Sequence, residues 1–313
     1  MNPSVTHEVL KSRSDRNIVR PDQPYAQLNE EEWLDPENKK SISTVFITNK
    51  ECPWRCVMCD LWKNTLTYSN SSDQIIKQIQ YALENLQKSN WIKLYNSGSF
   101  FDQKAINKKA WPGIIPLISS FERVIVENHP KLTVPMISKF RSQIPGEFEI
   151  AMGLETANEE ILGKLNKGFD LTDFRKACTK LKEWKVKIRA FVLIQPPFTK
   201  SRADCLRDIE KACDLCNRCD VGTLSLIPTR GQTEYMKRLT EKDEFREPDL
   251  DLIDQAFQVG LNYFSGRTIL DLWDLSKFSI CRECYPERFI RFKEMNRYQS
   301  MRKPVICSFC EKA

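Results

Sequence analysis

The sequence predicts an α/β fold: a partial parallel (β/α)6 TIM-type barrel that carries a small C-terminal four-cysteine metal-binding extension. Six apolar runs alternate with helical patterns between residues 43 and 264, as expected of successive β/α units. Several runs are continuously apolar, which is typical of parallel strands covered on their outer face. Two C-x2-C pairs stand near the end of the chain. We therefore expect an N-terminal arm at residues 1–40, the barrel at 41–265 and the extension at 266–313.

Each element follows from local pattern. Residues 1–40 are polar and contain four prolines, so we expect a loosely structured arm with at most one helical turn near Trp33. Strands are predicted at residues 43–49, 91–97, 123–128, 147–155, 187–195 and 222–228. Helices are predicted at residues 71–88, 135–144, 158–166, 171–185, 201–216 and 251–264. In such folds functional residues gather at the carboxyl ends of the strands.

Composition narrows the class of protein. The chain has 313 residues and a formal charge of +6, which is compatible with a nucleic-acid partner. Two histidines and ten glycines disfavour histidine-based catalysis and glycine-rich phosphate loops. The N-terminus lacks the apolar segment of a signal peptide and no run of 18 apolar residues occurs, so we expect a cytoplasmic chain with no membrane span. Twelve cysteines in a reducing compartment indicate metal ligands before disulfides.

Three cysteines follow the first predicted strand. Cys52, Cys56 and Cys59 have the spacing C-x3-C-x2-C, which suits a loop wrapped round a 4Fe–4S cube. Three thiolates leave one iron open to a small molecule. Ordinary buried thiols are disfavoured by this spacing, and a zinc site lacks an obvious fourth ligand nearby.

This segment resembles the signature of the radical S-adenosylmethionine superfamily. The phrases IKLYNSGSFFD and GLETANEEILGKLNKGFDLTDF, together with Cys56-Val57-Met58-Cys59, are similar to its elongator-like branch, which includes the radical subunit of archaeosine synthase. The resemblance implies that the open iron binds S-adenosylmethionine and that reductive cleavage yields a 5′-deoxyadenosyl radical for hydrogen abstraction. It also implies a base in tRNA as a substrate and a reductant such as ferredoxin or flavodoxin.

The same resemblance implies a cofactor pocket at the strand ends. The implied cofactor-binding residues are Asn96, Ser97, Gly98, Ser99, Glu127, Glu155 and Thr156. Simpler roles stay open: a turn at Gly98, a helix cap for Glu127 and a helix start near Thr156. Residues 227–234 (IPTRGQTE) would border the adenine, and Arg189 and Gln195 are further candidates.

The extension predicts a second metal site. Cys281, Cys284, Cys307 and Cys310 form two C-x2-C pairs, the usual ligands of a structural zinc ion. A second iron–sulfur cluster is the rival, and zinc is favoured. Residues 281–313 carry eight basic and four acidic residues interleaved with aromatics. This pattern predicts either RNA contact or a solvated helix over a small core.

The remaining cysteines are interpreted as structural. On one straight helix Cys213 and Cys219 would lie about 240° apart, so Cys213, Cys216 and Cys219 could not converge. Cys178 and Cys205 are interpreted in the same way. His129, one of two histidines, is a candidate pocket residue, although a lone histidine is more often structural.

Three functions follow from these patterns. The first is a radical S-adenosylmethionine enzyme acting on a base in RNA. The second is the same chemistry on a peptide or small metabolite. The third is a non-catalytic, metal-containing RNA-binding protein. The sequence predicts neither the catalytic residues nor the oligomeric state.

Overall fold

The computed structural model describes residues 1–310, whose centre is a curled sheet of eight strands. The strands, in chain order, are β1 Ala26–Trp33, β2 Lys39–Phe46, β3 Trp91–Tyr95, β4 Arg123–Glu127, β5 Glu147–Glu155, β6 Lys187–Ile194, β7 Thr223–Pro228 and β8 Arg267–Leu270. Neighbours in the sheet are neighbours in sequence. β1 is antiparallel to β2, and every later pair is parallel. The predicted partial parallel barrel is confirmed, and β1 and β8 extend it beyond six strands.

Helices cover the convex face of the sheet. They are α1 Pro3–Lys11, α2 Ser72–Asn85, α3 Trp111–Ile118, α4 Met136–Arg141, α5 Glu159–Lys164, α6 Leu171–Glu183, α7 Arg202–Arg218, α8 Glu234–Glu241, α9 Leu250–Tyr263 and α10 Tyr285–Tyr298. The main core joins outward strand residues such as Leu94 and Val126 to helix residues such as Ile79, Phe174 and Phe257. The strands that were predicted to be buried on their outer face are therefore buried there.

An ionic network lies on the concave face. Arg189 on β6 bonds Glu149 on β5 at 2.6 Å and Glu32 on β1 at 2.5 Å. Lys93 on β3 lies 3.2 Å from the same Glu32, and Arg123 on β4 bonds Glu149 at 3.0 Å. Because Glu32 and Arg189 stand on strands that are not neighbours in the sheet, their contact requires the sheet to curl.

The N-terminal region is more ordered than the sequence indicated. Residues expected to form a loose arm contain α1 and β1, and Trp33 ends a strand instead of lying in a helical turn. The Asn2 side chain caps α1, and Val9 packs with Val57 and Leu165 beside the cysteine loop. β1 was not predicted because its sequence is polar. Its glutamates are favourable in a strand because they face buried cations. The boundaries between the three expected regions stay a prediction.

Helix α10 covers the outer edge of β8. The side-chain amide of Asn296 donates to Leu270 O at 2.9 Å and accepts from Leu270 N–H at 2.8 Å. Gln299 pairs in the same two-way manner with the backbone of Thr268. Arg267 also donates to Leu34 O at 3.0 Å, so the C-terminal elements reach the β1–β2 hairpin and close the open side of the barrel.

Within residues 1–310, no helix combines the length and apolar character needed to cross a membrane.

Candidate cofactor-binding site

The loop after β2 carries the three cysteines and is fixed at several points. Glu51 N–H donates to Leu66 O at 3.0 Å, and Val57 N–H donates to Leu165 O at 3.2 Å. The Asn166 side chain donates to Arg55 O at 2.9 Å. Backbone bonds to residues distant in sequence therefore hold the loop at the carboxyl end of the strands, where the sequence predicted it.

The three thiols lie within electrostatic reach of one another. Burial raises the pKa of Cys52, Cys56 and Cys59 to about 12 each. A neighbouring thiolate adds to each rise: Cys59 acts on Cys52, Cys52 on Cys56, and Cys56 on Cys59. Within residues 1–310 they do not form a group whose donor atoms all lie within 4.8 Å. They are therefore not grouped as tightly as the ligands of a single zinc ion.

Trp54, between the first two cysteines, is closely packed. Its indole stacks on the imidazole of His129 with ring centroids 3.5 Å apart and planes 9° apart. A Cβ at Gly168, whose φ is +77°, would meet the indole at 2.7 Å. Burial lowers the pKa of His129 to about 3, so its ring is neutral and serves as a platform that positions the loop.

Gly98 allows the β3 end to approach the cysteine loop. Its φ is +155°, and a Cβ there would lie 3.2 Å from the Cβ of Cys52. The adjoining Asn96, Ser97 and Ser99 are all buried. Ser99 Oγ accepts from His129 N–H at 2.8 Å, which ties this segment to the end of β4. Gly98 is therefore required by close packing as well as by the turn that the sequence left open.

Buried polar groups without a partner collect along the same edge. In the described part of the chain, several side-chain atoms that follow strands have no hydrogen-bonding partner. They are Asn49 Oδ1, both amide atoms of Asn96, Ser97 Oγ, Asn128 Oδ1 and Gln195 Oε1. An unpaired buried polar atom costs about 1–3 kcal/mol. Such a concentration at consecutive strand ends indicates a place where a polar ligand completes the hydrogen bonding.

Glu127 at the end of β4 faces this edge. Its Oε2 accepts from Asn96 N–H at 3.0 Å. Burial raises the pKa of Glu127 to about 7, against the opposing effects of that hydrogen bond and of the Lys167 charge. A carboxyl in this position can accept a hydrogen bond from an ammonium or hydroxyl group, and its role in binding a cofactor stays a prediction.

Glu155 at the end of β5 forms a buried ion pair with Lys167. Although burial disfavours the ammonium, Glu155, Cys56 and Cys59 together raise the pKa of Lys167. A Cβ at Gly153 would overlap this ammonium, so a side chain there would displace the ends of Lys167 and Glu155. Glu155 adopts φ +68°, a conformation that a non-glycine residue holds only when its surroundings enforce it. The pair places one cation within electrostatic reach of all three thiols.

The hydroxyl of Thr156 is already hydrogen-bonded to neighbouring protein groups. Its hydroxyl donates to Asp208 on α7 at 2.5 Å and accepts from Asn158 N–H at 3.1 Å. Asn158 caps α5. These contacts favour the helix-start interpretation of Thr156, which the sequence left open beside a ribose contact.

The two further candidates on β6 differ. Arg189 belongs to the ionic network deep in the concave face. Gln195 lies at the end of β6, where its φ is +58° and its Oε1 has no hydrogen-bonding partner. It therefore stays a candidate for the cofactor pocket. The structure therefore separates two residues that the sequence grouped together.

The four cysteines of the extension come together. Their Sγ atoms all lie within 4.8 Å of one another. Backbone N–H groups of Cys284 and Glu283 lower the pKa of Cys281 to about 7. The extension can therefore bind a metal, as predicted.

Two arginines of the extension form ion pairs inside the molecule. Arg288 pairs with Asp251, and Arg291 bonds Asp254 at 2.6 Å. Phe292 is buried in the core. These contacts support the solvated helix over a small core rather than a free stripe of basic residues for RNA.

The other cysteines behave as the sequence predicted. Cys178, Cys205, Cys213 and Cys216 are buried in the main core, and Cys219 packs against it. None of them belongs to a ligand group within residues 1–310.

Sequence reasoning missed Lys167, Trp54 and Tyr25. Lys167 stands within a quoted phrase and Trp54 between two predicted cluster ligands, but only the fold brings Lys167 to Glu155 and Trp54 to His129. Tyr25 comes from the supposed loose arm, and its phenol, whose pKa burial raises, lies beside Ser97. No local signal distinguishes these residues from structural ones.

Comparison with known sequences identifies relatives. No protein-family profile matches the chain. An uncharacterized protein of Methanocaldococcus jannaschii is 25% identical over 239 residues, which cover 70% of this chain and 65% of that protein. Archaeosine synthase subunit beta of Methanosarcina acetivorans is 26% identical over 263 residues, or 78% of this chain and 74% of that protein. The alignment thus spans just under two thirds of the Methanocaldococcus relative.

Comparison with solved structures supports the fold. SuiB of Streptococcus suis, solved with its precursor peptide SuiA, has a TM-score of 0.57 and 13% identity over 79% of this chain and 50% of that one. The archaeal Methanocaldococcus infernus Elp3 has a TM-score of 0.54 and 13% identity over 69% of this chain and 58% of that one. At these identities the likeness concerns the fold alone. The likeness to Elp3, together with the archaeosine synthase relatives, is what the elongator-like resemblance predicted.

Proposed function

We propose that this protein, which is related to the radical S-adenosylmethionine superfamily and its elongator-like branch, is an enzyme that cleaves S-adenosylmethionine reductively. The observation that carries the proposal is the meeting of two features at one edge of the sheet. Three mutually close thiols lie on the loop after β2. Unpartnered polar atoms lie at the ends of β3 and β6.

The residues present fit a 4Fe–4S cluster and S-adenosylmethionine. Cys52, Cys56 and Cys59 would hold three irons of the cluster and leave the fourth for the cofactor's amino and carboxylate groups. When bound, the cluster and S-adenosylmethionine together would supply a 5′-deoxyadenosyl radical that abstracts hydrogen from the substrate. The donor set supports a cluster because thiolates are the ligands of its irons.

Polar groups of the strand ends would orient the cofactor. Asn96 and Ser97 each have a free side-chain atom for the methionine portion. Glu127, with a pKa raised to about 7 by burial, would accept from the amino group. Glu155 would reach ribose hydroxyls while Lys167 balances its charge. Ser99 and Gly98 would position this segment, because Ser99 Oγ accepts from His129 N–H and Gly98 allows the close approach to Cys52. The Ser99 hydroxyl can still donate its proton to the cofactor.

The chain also shields this edge. Helix α1 packs on the cysteine loop through Val9 and Val57, and Arg13 bonds Glu51 at 2.7 Å. Excluding water protects a reactive radical from side reactions. The N-terminal segment would therefore act as a cover for the loop.

A base in tRNA is the proposed substrate. The support is the similarity to archaeosine synthase subunit beta over 78% of the chain. A ferredoxin or flavodoxin would supply the electron, and the cytoplasm is the expected compartment because the twelve cysteines are free thiols. The name "subunit" of the relatives suggests a partner subunit for this chain also.

An anaerobic assay tests the proposed chemistry. Protein reconstituted with iron and sulfide and then reduced should form 5′-deoxyadenosine from S-adenosylmethionine. Cys56→Ala should abolish this product and the cluster absorbance, whereas Cys213→Ser, which alters a buried core thiol, should retain both. Equal product from the Cys56→Ala protein would overturn the proposal.

A second assay tests the substrate. Total tRNA should increase 5′-deoxyadenosine formation, and tRNA binding should weaken steeply as salt rises. A response to peptides with none to tRNA would favour the alternative substrate class. No cleavage under any condition would favour a non-catalytic metal protein.

A further inference from the structure

The four sulfur atoms of the extension lie as close together as the ligands of a single metal ion. Cys281 Sγ lies 3.9 Å from Cys307 Sγ, and Cys284 Sγ lies 3.6 Å from Cys310 Sγ. A tetrahedral ion with Zn–S bonds of about 2.3 Å spaces its sulfurs about 3.8 Å apart. Each close pair takes one thiol from each C-x2-C motif, so the two motifs interlock around one centre.

The same chain contains a wider set of thiols for comparison. In a 4Fe–4S cluster each thiolate binds a different iron, which holds the sulfurs farther apart than ligands of one ion. Within residues 1–310, Cys52, Cys56 and Cys59 do not form a group of donor atoms within 4.8 Å, whereas the extension does. The thiols of the extension are thus grouped more tightly than those of the barrel loop, as ligands of a single ion require.

We propose that the extension binds one Zn²⁺ ion through Cys281, Cys284, Cys307 and Cys310 as a closed structural site. Four protein thiolates fill the tetrahedral positions and leave none for a substrate. The sequence left zinc and a second cluster open, and the spacing of the thiols favours zinc. This inference does not depend on the proposed activity of the barrel.

The ion would fix the last segment against α10. Among residues 300–310 the one backbone–backbone hydrogen bond runs from Cys310 N–H to Cys307 O. Arg291 adds side-chain bonds to Arg302 O and Lys303 O. Cys284 is the N-cap residue of α10, so a metal bound there joins the helix start to the segment that returns past it. Metal binding would therefore hold residues 300–310 in place, where backbone hydrogen bonds are scarce.

Metal analysis of the full chain tests the proposal. The variant with Cys52, Cys56 and Cys59 all changed to alanine removes the barrel ligands, and it should contain one zinc and no sulfide per chain. Cobalt substitution should give the absorption bands of a tetrahedral thiolate site. Cys310→Ser should lose most of the zinc and become more sensitive to trypsin at Arg302. Cys219→Ser, a thiol outside both groups, should keep a full equivalent.

Several results would overturn the zinc site. These are iron with sulfide in the variant lacking the barrel cysteines, a single iron in place of zinc, or no metal at all. Unchanged zinc in both Cys310→Ser and Cys307→Ser would also overturn it. A wild-type protein that holds one zinc but forms no 5′-deoxyadenosine after reconstitution and reduction would instead count against the proposed enzyme and leave the zinc site standing.

Discussion

The carboxyl of Glu127 illustrates how single residues prepare the site at a cost in stability. It accepts a backbone hydrogen bond from Asn96, yet burial still raises its pKa to about 7. Unpaired amide and hydroxyl atoms of Asn96 and Ser97 lie on the adjoining strand end. Groups that would be satisfied by a ligand are thus left unsatisfied in the protein alone, which is common at functional sites.

Stability should fall with rising pH because of Glu127. Below pH 4.5 the carboxyl is protonated in both the folded and the unfolded chain. As pH rises towards about 7, the unfolded chain loses this proton and the folded chain keeps it, which costs up to about 3 kcal/mol. In urea unfolding of the metal-free protein, Glu127→Gln should therefore gain stability relative to the wild type over this range. A difference that stays constant with pH would contradict the assignment.

Gly98 should be intolerant of even one added methyl group. Gly98→Ala puts a Cβ 3.2 Å from the Cβ of Cys52 at φ +155°, so we expect a loss of about 1–3 kcal/mol and less iron bound after reconstitution. Gly163→Ala in α5 is the matched control, since no atom lies within 4 Å of the added Cβ. It should be neutral or stabilising by up to about 1 kcal/mol. Iron content and unfolding free energy would be measured for both, and equal behaviour would refute the packing argument.

At the scale of elements, the sheet is best understood through β1. Its sequence, AQLNEEEW, alternates exposed glutamate with glutamate that faces cations across the concave face. Burial opposes the charge of Glu32, but Arg189 and Lys93 keep its pKa well below the usual range. The strand is therefore held by ion pairs in a position where most strands use apolar side chains.

Neighbouring glutamates on β1 should differ sharply on substitution. Glu32→Gln leaves Arg189 partly unpaired in a buried setting and should cost about 3–5 kcal/mol. Glu31→Gln removes an exposed pair with Lys39 and should cost less than about 1 kcal/mol. Denaturant unfolding of the two variants makes the comparison. A small cost for Glu32→Gln would mean that the network does not hold β1 in place.

The elements that could be predicted from sequence are those with apolar patterns. All six predicted strands are present because each carries a largely apolar run, and the spacing of Cys52, Cys56 and Cys59 identified the loop. β1 was missed because glutamates are favourable there only once Arg189 is opposite. β8, with four residues, is too short to recognise. Lys167 and Trp54 likewise acquire their places through partners distant in sequence.

At the scale of the whole molecule, the two chain ends cooperate to close the barrel. Arg297 on α10 donates to Pro36 O at 2.9 Å and stacks over the Trp33 ring at 4.2 Å. Arg267 on β8 adds a bond to Leu34 O. Regions expected to be a free arm and a separate extension thus meet at the open side of the sheet.

Removing Arg297 should loosen this closure. Arg297→Ala loses a hydrogen bond and a cation–π contact, which together contribute about 2 kcal/mol. Amide exchange should also rise in β1. Arg246→Ala, whose side chain is 84% exposed, should change stability by less than about 0.5 kcal/mol. Unaltered exchange in β1 of the Arg297→Ala protein would show that the chain ends are coupled by other contacts.

The amide side chains of Asn296 and Gln299 occupy the hydrogen-bonding groups that another strand would otherwise take at β8. A sheet margin stripped of this cover is a template on which a second molecule can continue the ladder. Detachment of α10 should therefore cause self-association through β8 before the barrel itself unfolds.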